Sequence, residues 1–176
     1  MPQYANNLQY FIQSLTEEIM SEQADVCYTF EGALEMAISM ENDGFRSYLT
    51  ALRIVKSKQA RAVLKDAAFD ELAHKYELEK ALIEGFITEG TLDKPLPTMN
   101  LDAVLVKKEL KHDSDAREAL AYSIHLENAA ISFYKKMAGA CAGAPMGKLM
   151  ERLVADESRH LQQLEDLYEQ HFMTEN

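Results

Sequence analysis

The chain has 176 residues and a net charge of −11, with 47% hydrophobic and 27% charged residues. This composition is typical of a globular protein that is large enough to bury one sizeable core. The acidic balance excludes a nucleic-acid partner, which would require a basic face. Because no apolar run approaches the length of a membrane-spanning helix, we expect no membrane partner either.

The N-terminal segment, residues 1–28, is predicted to be a helical extension, with a short amphipathic helix from about Asn6 to Ser21. It begins without the basic and apolar regions of a secretion signal, which favours a cytoplasmic location. The cysteines, Cys27 and Cys141, form no C-x-x-C pair. We therefore expect buried free thiols in a reducing compartment rather than a cysteine metal site.

Residues 29–176 are predicted to fold as a four-helix bundle, because apolar residues recur at intervals of three and four along four long segments. The predicted helices extend from about Thr29 to Lys56, Ser57 to Gly85, Ser114 to Ala138 and Pro145 to Phe172. Ser114 or Asp113 is the expected N-cap of the third helix, and Pro145 suits the first turn of the fourth.

The connections between these helices differ greatly in length. Short breaks predict that the first two helices form one hairpin and the last two another, whereas residues 86–113 form a long connection between the hairpins. A connection of this length is unusual in a compact domain unless it crosses from one end to the other. Two helical hairpins joined by a long crossover are the ferritin-like form of the four-helix bundle, and this is the all-α fold that we predict.

The two predicted hairpins are related by an internal repeat. When residues 31–84 are aligned with residues 117–170 without gaps, eleven positions are identical. These positions include apolar residues of the buried seams and several polar residues, whereas the outer faces have diverged. A helical hairpin cannot bury its apolar face alone, so we expect the two copies to pack against each other.

Six of the polar residues occupy seam positions at which the pattern otherwise calls for an apolar side chain. They are Glu41, Glu71, His74, Glu127, Glu157 and His160. Burying four carboxylates without partners would cost on the order of several kcal/mol each, because they lose hydration and repel one another. A metal compensates this charge, and carboxylate with imidazole suits iron or manganese better than structural zinc. One Glu from each of two helices and a Glu-x-x-His pair from each of the other two indicate a di-metal site.

The Glu-x-x-His spacing by itself is a weak signal in a Glu-rich chain. A third copy, Glu109 to His112, lies in the crossover, and we interpret it as a solvated or capping pair. The alternative for the six seam residues is a structural bundle with vestigial motifs, which would leave the buried carboxylates uncompensated.

Two aspartates are candidates for orienting the predicted histidine ligands. Asp70 and Asp156 directly precede the Glu of each motif. In a two-fold arrangement of antiparallel helices, we expect Asp70 to reach His160 and Asp156 to reach His74, since metal-bound histidines usually donate their second ring N–H to a carboxylate. The alternative is that both are ordinary surface aspartates.

Two tyrosines lie two helical turns after the predicted ligands of the first and third helices. Tyr48 and Tyr134 are predicted to bond the carboxylates of the opposite half, or else to be core tyrosines with unrelated partners. Ser158 and Arg159 do not repeat, and we expect them on the outer face.

These motifs resemble those of the rubrerythrin-like branch of the ferritin-like superfamily. The matching stretches are SMENDGFRSY around Glu41, DELAH at 70–74, HLENAAISFY around Glu127 and DESRH at 156–160, and the resemblance covers about residues 29–172. It implies a centre of two iron ions, with manganese or a mixed pair also open. It further implies that the bridging ligands are Glu71 and Glu157, that the terminal ones are Glu41 and Glu127, and that each metal takes one of His74 and His160.

The resemblance implies a di-iron oxidoreductase in which the same six residues are catalytic. Members of this group reduce hydrogen peroxide, and relatives oxidise Fe(II) or activate dioxygen. The alternative is a protein that binds or handles iron or manganese without redox turnover.

The sequence departs from the peroxide-scavenging members in two respects. It has no rubredoxin-like pair of C-x-x-C motifs, so we expect an external electron donor. Ala130 stands where those members carry an additional Glu, which argues against their redox-linked exchange of ligands. The sequence leaves the formation of a homodimer open.

Overall fold

A computed structural model describes residues 29–87, 94–109, 111 and 114–173. The predicted helical extension at 1–28 and His112 of the third Glu-x-x-His copy lie outside the described residues. The described residues form four α-helices, α1 (Phe30–Ile54), α2 (Lys58–Glu84), α3 (Ala116–Ala140) and α4 (Pro145–Phe172), and no strand. This confirms the predicted all-α bundle, and each helix end lies within two residues of its predicted position. None of the described helices is both long and apolar enough to cross a bilayer.

The start of α3 differs slightly from the prediction. Asp115 accepts a hydrogen bond from the backbone N–H of Glu118 at 2.8 Å, and the Glu118 carboxylate accepts one from the Asp115 N–H at 3.3 Å. This capping box makes Asp115 the N-cap, rather than Ser114 or Asp113. The Ser114 hydroxyl instead accepts a bond from the backbone N–H of Lys111, so it stabilises the end of the crossover.

The helices pack as two hairpins around one core. Helix α1 packs along α2, α3 packs along α4, and the hairpins meet mainly through α1 and α3. All four helices contribute large apolar side chains that are fully buried, namely Leu34, Leu64, Leu78, Leu120, Ile124, Met150, Leu153 and Leu164. Each such side chain stabilises the fold by roughly 1.5–3 kcal/mol, and together they hold the middle of the helices in register.

The crossover is attached to α4 through two buried side chains. The fully buried Glu165 carboxylate accepts hydrogen bonds from the backbone N–H groups of Met99 at 2.5 Å and Leu101 at 2.8 Å. The Ser158 hydroxyl accepts one from the N–H of Leu96 at 2.8 Å. The prediction that Ser158 lies on the outer face is therefore wrong. Comparison of the two repeats could not reveal this contact, because the crossover lies outside both of them.

The crossover also binds α3 through a short 3₁₀ turn, Leu101–Ala103. Within this turn the Asp102 carboxylate pairs with Nδ1 of the buried His125 and accepts a hydrogen bond from Asn128 Nδ2 at 2.8 Å. The 3₁₀ turn is thereby fixed to both helices of the second hairpin.

The cysteine prediction is corrected at Cys141. This residue is buried, as expected, but it forms a disulfide bond, whereas the sequence led us to expect a free thiol. Its partner lies outside the described residues. Sequence spacing could not predict the bond, since disulfide pairing depends on how distant parts of the chain approach each other in space.

Candidate metal centre

The six predicted ligands converge inside the bundle, near the middle of each helix. They are Glu41 on α1, Glu71 and His74 on α2, Glu127 on α3, and Glu157 and His160 on α4. All six are buried, and the most exposed of them, His74, exposes only 9% of its surface. The seam positions read from the sequence therefore do face the interior of the bundle.

The potential ligand atoms form two overlapping groups, and within each group they lie within 4.8 Å of one another. The first group consists of Glu41, Glu71, His74 and Glu157, and the second of Glu71, Glu127, Glu157 and His160. Glu71 and Glu157 belong to both groups, so each has the position of a carboxylate that bridges two metal ions. The remaining residues give each group one further Glu and one His, a donor set like that of di-metal carboxylate bundles.

Both imidazoles direct Nδ1 towards the carboxylates. Nδ1 of His74 lies 3.1 Å from Glu41 Oε2 and 3.2 Å from Glu157 Oε1. Nδ1 of His160 lies 2.9 Å from Glu157 Oε2. Nδ1 is therefore the ring nitrogen that each histidine would offer to a metal, and Nε2 is left for a partner on the other side.

The predicted aspartates stand beside those Nε2 atoms. Asp70 Oδ2 lies 3.0 Å from Nε2 of His160, and Asp156 Oδ2 lies 3.5 Å from Nε2 of His74. Each aspartate thus reaches the histidine of the other hairpin, as expected. Asp156 also accepts a hydrogen bond from Arg159 at 2.8 Å. Arg159 therefore holds the aspartate, a role that the sequence did not suggest.

The two tyrosines are buried but differ in their contacts. The Tyr134 hydroxyl donates a hydrogen bond to Glu41 Oε1, on the opposite hairpin. The Tyr48 hydroxyl has no hydrogen-bond partner among the described residues. The two halves of the site are thus unequal, although the sequence repeat presents the tyrosines as equivalent.

The donor set fits a pair of iron or manganese ions. One buried carboxylate oxygen, Glu127 Oε2, has no hydrogen-bond partner within the described part of the chain. Buried carboxylate oxygens in this state are costly unless they coordinate a metal. Carboxylates are hard donors, and imidazoles are intermediate ones. A set of four carboxylates and two imidazoles therefore suits iron or manganese better than zinc, whose structural sites are built from thiolates.

Three of the clustered carboxylates, Glu71, Glu127 and Glu157, have pKa values shifted from the ordinary range. Burial, together with the charge of Glu157, raises the pKa values of Glu71 and Glu127 well above the ordinary value. Burial alone would also raise the pKa of Glu157, but its bonds to His160 and His74 outweigh burial and hold that pKa below its usual range.

Burial acts on the pKa values of the histidines in the opposite direction from its effect on the carboxylates. Burial tends to lower their pKa values, but hydrogen bonds to Asp156 and Glu157 raise the pKa of His74 well above its usual value. Bonds to Asp70 and Glu157 likewise raise the pKa of His160 to about 9. The raised pKa values favour protonated imidazoles beside the carboxylates, and a metal that binds there would have to displace those protons.

Gly44, which lies one turn after Glu41 on α1, was not among the predicted site residues. A Cβ atom at this position would stand 2.8 Å from Oε1 and 3.0 Å from the carboxyl carbon of Glu71. The missing side chain thus makes room for the carboxylate shared by both ligand groups. A glycine inside an otherwise regular helix was the available signal, because it costs about 0.5–1 kcal/mol relative to alanine and therefore calls for a packing reason.

Comparisons with known proteins agree with this architecture. The model of the rubrerythrin family matches residues 32–168, a range that contains all six clustered residues. A solved structure, the bacterioferritin-related dodecameric thioferritin from Bacteroides fragilis, superposes with a TM-score of 0.63 at 18% identity and covers 94% of this chain and 95% of its own. At this identity the likeness shows the ferritin-like fold alone. No curated protein matches the chain.

Proposed function

Because the chain belongs to the rubrerythrin family, whose model matches residues 32–168, we propose that it is a di-iron oxidoreductase. The reaction is the reduction of peroxide or dioxygen, or the oxidation of Fe(II), at a carboxylate-bridged centre. The observation that carries the proposal is that Glu71 and Glu157 each belong to both groups of converging donors. Two shared carboxylates would hold two metal ions close together, and a site for a single ion would not require them.

The proposed ligands have distinct tasks. Glu71 and Glu157, which belong to both donor groups, would hold both ions. Glu41 and His74 would complete the ligands of one ion, and Glu127 and His160 those of the other. Two iron ions held in this way would supply one electron each, and the reduction of peroxide to water takes two electrons and two protons.

The surrounding residues prepare the site for this chemistry. Asp70 and Asp156 hold the imidazoles with Nδ1 towards the centre. Tyr134 donates a hydrogen bond to Glu41, so it fixes that carboxylate and keeps a proton beside it. Burial excludes bulk water, and the fixed carboxylates would stabilise the additional positive charge of ions that become oxidised.

To test this proposal, the protein is loaded with Fe(II) in the absence of oxygen and is then mixed with hydrogen peroxide. We expect fast oxidation of about two bound Fe(II) per peroxide consumed, followed by sustained turnover when an external reductant is supplied. Glu71→Gln should abolish the fast phase. Glu109→Gln, which changes the exposed Glu of the third Glu-x-x-His copy, is the matched control and should leave it unchanged. Oxidation no faster than that of free Fe(II), or a fast phase that Glu71→Gln retains, would refute the proposal.

A second candidate is the binding or handling of iron without redox turnover. Ala130 favours it, because it stands where the peroxide-scavenging members carry an additional Glu. This candidate predicts stable binding of two ions without sustained peroxide consumption. Uptake of many more ions per chain would instead indicate iron storage.

A further inference from the structure

The two hairpins meet in a local two-fold relation that follows the sequence repeat, in which positions 31–84 correspond to positions 117–170. The contacts of the aspartates obey this relation, because the pair of Asp70 with His160 and the pair of Asp156 with His74 are images of each other. Each side chain in one half of the centre can therefore be compared with its counterpart in the other half.

The tyrosines depart from the two-fold relation. The counterparts of Tyr134 and Glu41 are Tyr48 and Glu127. The Tyr134 hydroxyl donates a hydrogen bond to Glu41, whereas the Tyr48 hydroxyl and Glu127 Oε2 both lack a hydrogen-bond partner among the described residues. The bond that closes one half of the centre is thus missing from the other half, although both of its atoms are present there.

Bulk water cannot satisfy either of these two groups. Tyr48 is fully buried, and Glu127 exposes only 2% of its surface. A hydroxyl that is buried without a partner has lost its hydration and gained no bond, so a phenylalanine would occupy the same space at a lower cost in free energy. An unsatisfied buried group in a native fold calls for a partner from outside the chain, such as an ion or a small molecule.

The surroundings of the Tyr48 hydroxyl limit what this partner can be. Glu127 belongs to the donor group that would hold one of the two metal ions, and the phenol of Tyr48 is a neutral O–H donor. A ligand that binds between them must be small, must offer one atom to the metal ion and must accept a hydrogen bond at another atom. Hydroperoxide meets these requirements, and so does azide.

We propose that Tyr48 donates a hydrogen bond to a small external ligand, of the class of hydroperoxide, that binds at the Glu127 half of the centre. This inference rests on the metal centre of the proposed function, and it assigns the side of that centre on which the substrate binds. Tyr134 is not available for the same task, because its hydroxyl already bonds Glu41. The duplicated halves therefore differ in role, since the chain itself closes the Glu41 half and leaves the Glu127 half to a ligand.

The first test measures the binding of azide, which can offer one terminal nitrogen to a metal ion and the other to a hydrogen-bond donor. The full chain is loaded with Fe(II) without oxygen, oxidised with ferricyanide and titrated with azide, and the visible absorption of the Fe(III)–azide complex is recorded. We expect Tyr48→Phe to retain its iron but to bind azide about tenfold more weakly or worse. Tyr168→Phe removes the hydroxyl of another buried tyrosine, one that accepts a hydrogen bond from Arg117 at 2.8 Å, and this matched control should bind azide as the natural chain does.

The second test separates ligand binding from an orienting role like that of Tyr134. In the metal-free chain, Tyr48→Phe removes a hydroxyl that has no partner, so the midpoint of urea unfolding should stay unchanged or rise. Tyr134→Phe breaks a buried hydrogen bond and should lower the midpoint. An azide affinity that is unchanged in Tyr48→Phe, or a urea midpoint that falls as far as in Tyr134→Phe, would overturn the inference.

The peroxide reaction separates this inference from the proposed function. Azide binding that depends on Tyr48, in a protein whose Fe(II) reacts with peroxide no faster than free Fe(II), would support the ligand site and refute the proposed turnover. Fast oxidation by peroxide, together with equal azide affinities of the natural chain and Tyr48→Phe, would overturn the inference alone. A natural chain that takes up iron but binds no azide would overturn it as well.

Discussion

Gly44 contributes to the candidate site through the space that it leaves. It leaves room for the Glu71 carboxylate, which would lie 2.8 Å from an added Cβ. The atom in the way is the mobile end of a side chain, so an alanine at this position would displace the carboxylate rather than the helix.

Gly44→Ala is therefore expected to weaken metal binding without weakening the metal-free fold. We predict at least a tenfold loss of affinity for the first Fe(II) in anaerobic titration, and a metal-free stability that is unchanged or about 0.5–1 kcal/mol higher, because alanine favours the helix. Gly139→Ala is the matched control, since nothing lies within 4 Å of its Cβ. Equal metal affinities for both variants would contradict the steric role.

The aspartates act through the histidines that they contact. Asp70→Asn and Asp156→Asn each leave a neutral amide beside Nε2, so the imidazole is held less firmly in the orientation that offers Nδ1 to the metal. We predict a 10–100-fold loss of metal affinity for each variant. Asp166→Asn, at an exposed position of α4, should bind metal as the natural chain does. Calorimetric titration with Mn(II) measures all three, and affinities within twofold of one another would count against the orienting role.

At the scale of elements, the helices could be predicted from the sequence because their apolar spacing is regular and long. The same regularity made it possible to recognise Glu41 and Glu127 as seam residues, because each places a carboxylate in a row of apolar residues. The crossover could not be predicted in the same way. Its contacts depend on Ser158 and Glu165 of α4 and on Asp102, which pairs with α3. These contacts join parts of the chain that are distant in sequence, and no spacing along the chain records them.

The attachment of the crossover gives a prediction at this scale. Glu165→Gln replaces a carboxylate that accepts from two backbone N–H groups with an amide that has only one accepting oxygen. One buried N–H then loses its partner, so we predict a loss of about 1–3 kcal/mol in the free energy of unfolding. Urea denaturation measures the change. Glu169→Gln, at an exposed position one turn later, should stay within about 0.5 kcal/mol of the natural chain, and a similar loss there would show that the effect is not due to the crossover.

At the scale of the whole molecule, the two hairpins bring four carboxylates and two imidazoles into one core. Metal binding should therefore stabilise the entire bundle, since the ions bind the folded form and relieve the repulsion of its buried charges. At free metal 100-fold above the dissociation constant, the gain is about 2.7 kcal/mol per site. We predict that a chelator lowers the melting temperature measured by circular dichroism and that added Fe(II) or Mn(II) restores it. A melting temperature that does not respond to either would contradict a metal site in this core.

The central claim is that Glu71 and Glu157 are shared by two metal ions, and metal stoichiometry tests it most directly. Anaerobic titration with Fe(II), followed by metal analysis of the isolated protein, should give two ions per natural chain. Glu41→Gln, which alters a residue of one donor group only, should retain one tightly bound ion, whereas Glu71→Gln should retain neither. A single ion per natural chain, or one ion retained by Glu71→Gln and none by Glu41→Gln, would contradict the account.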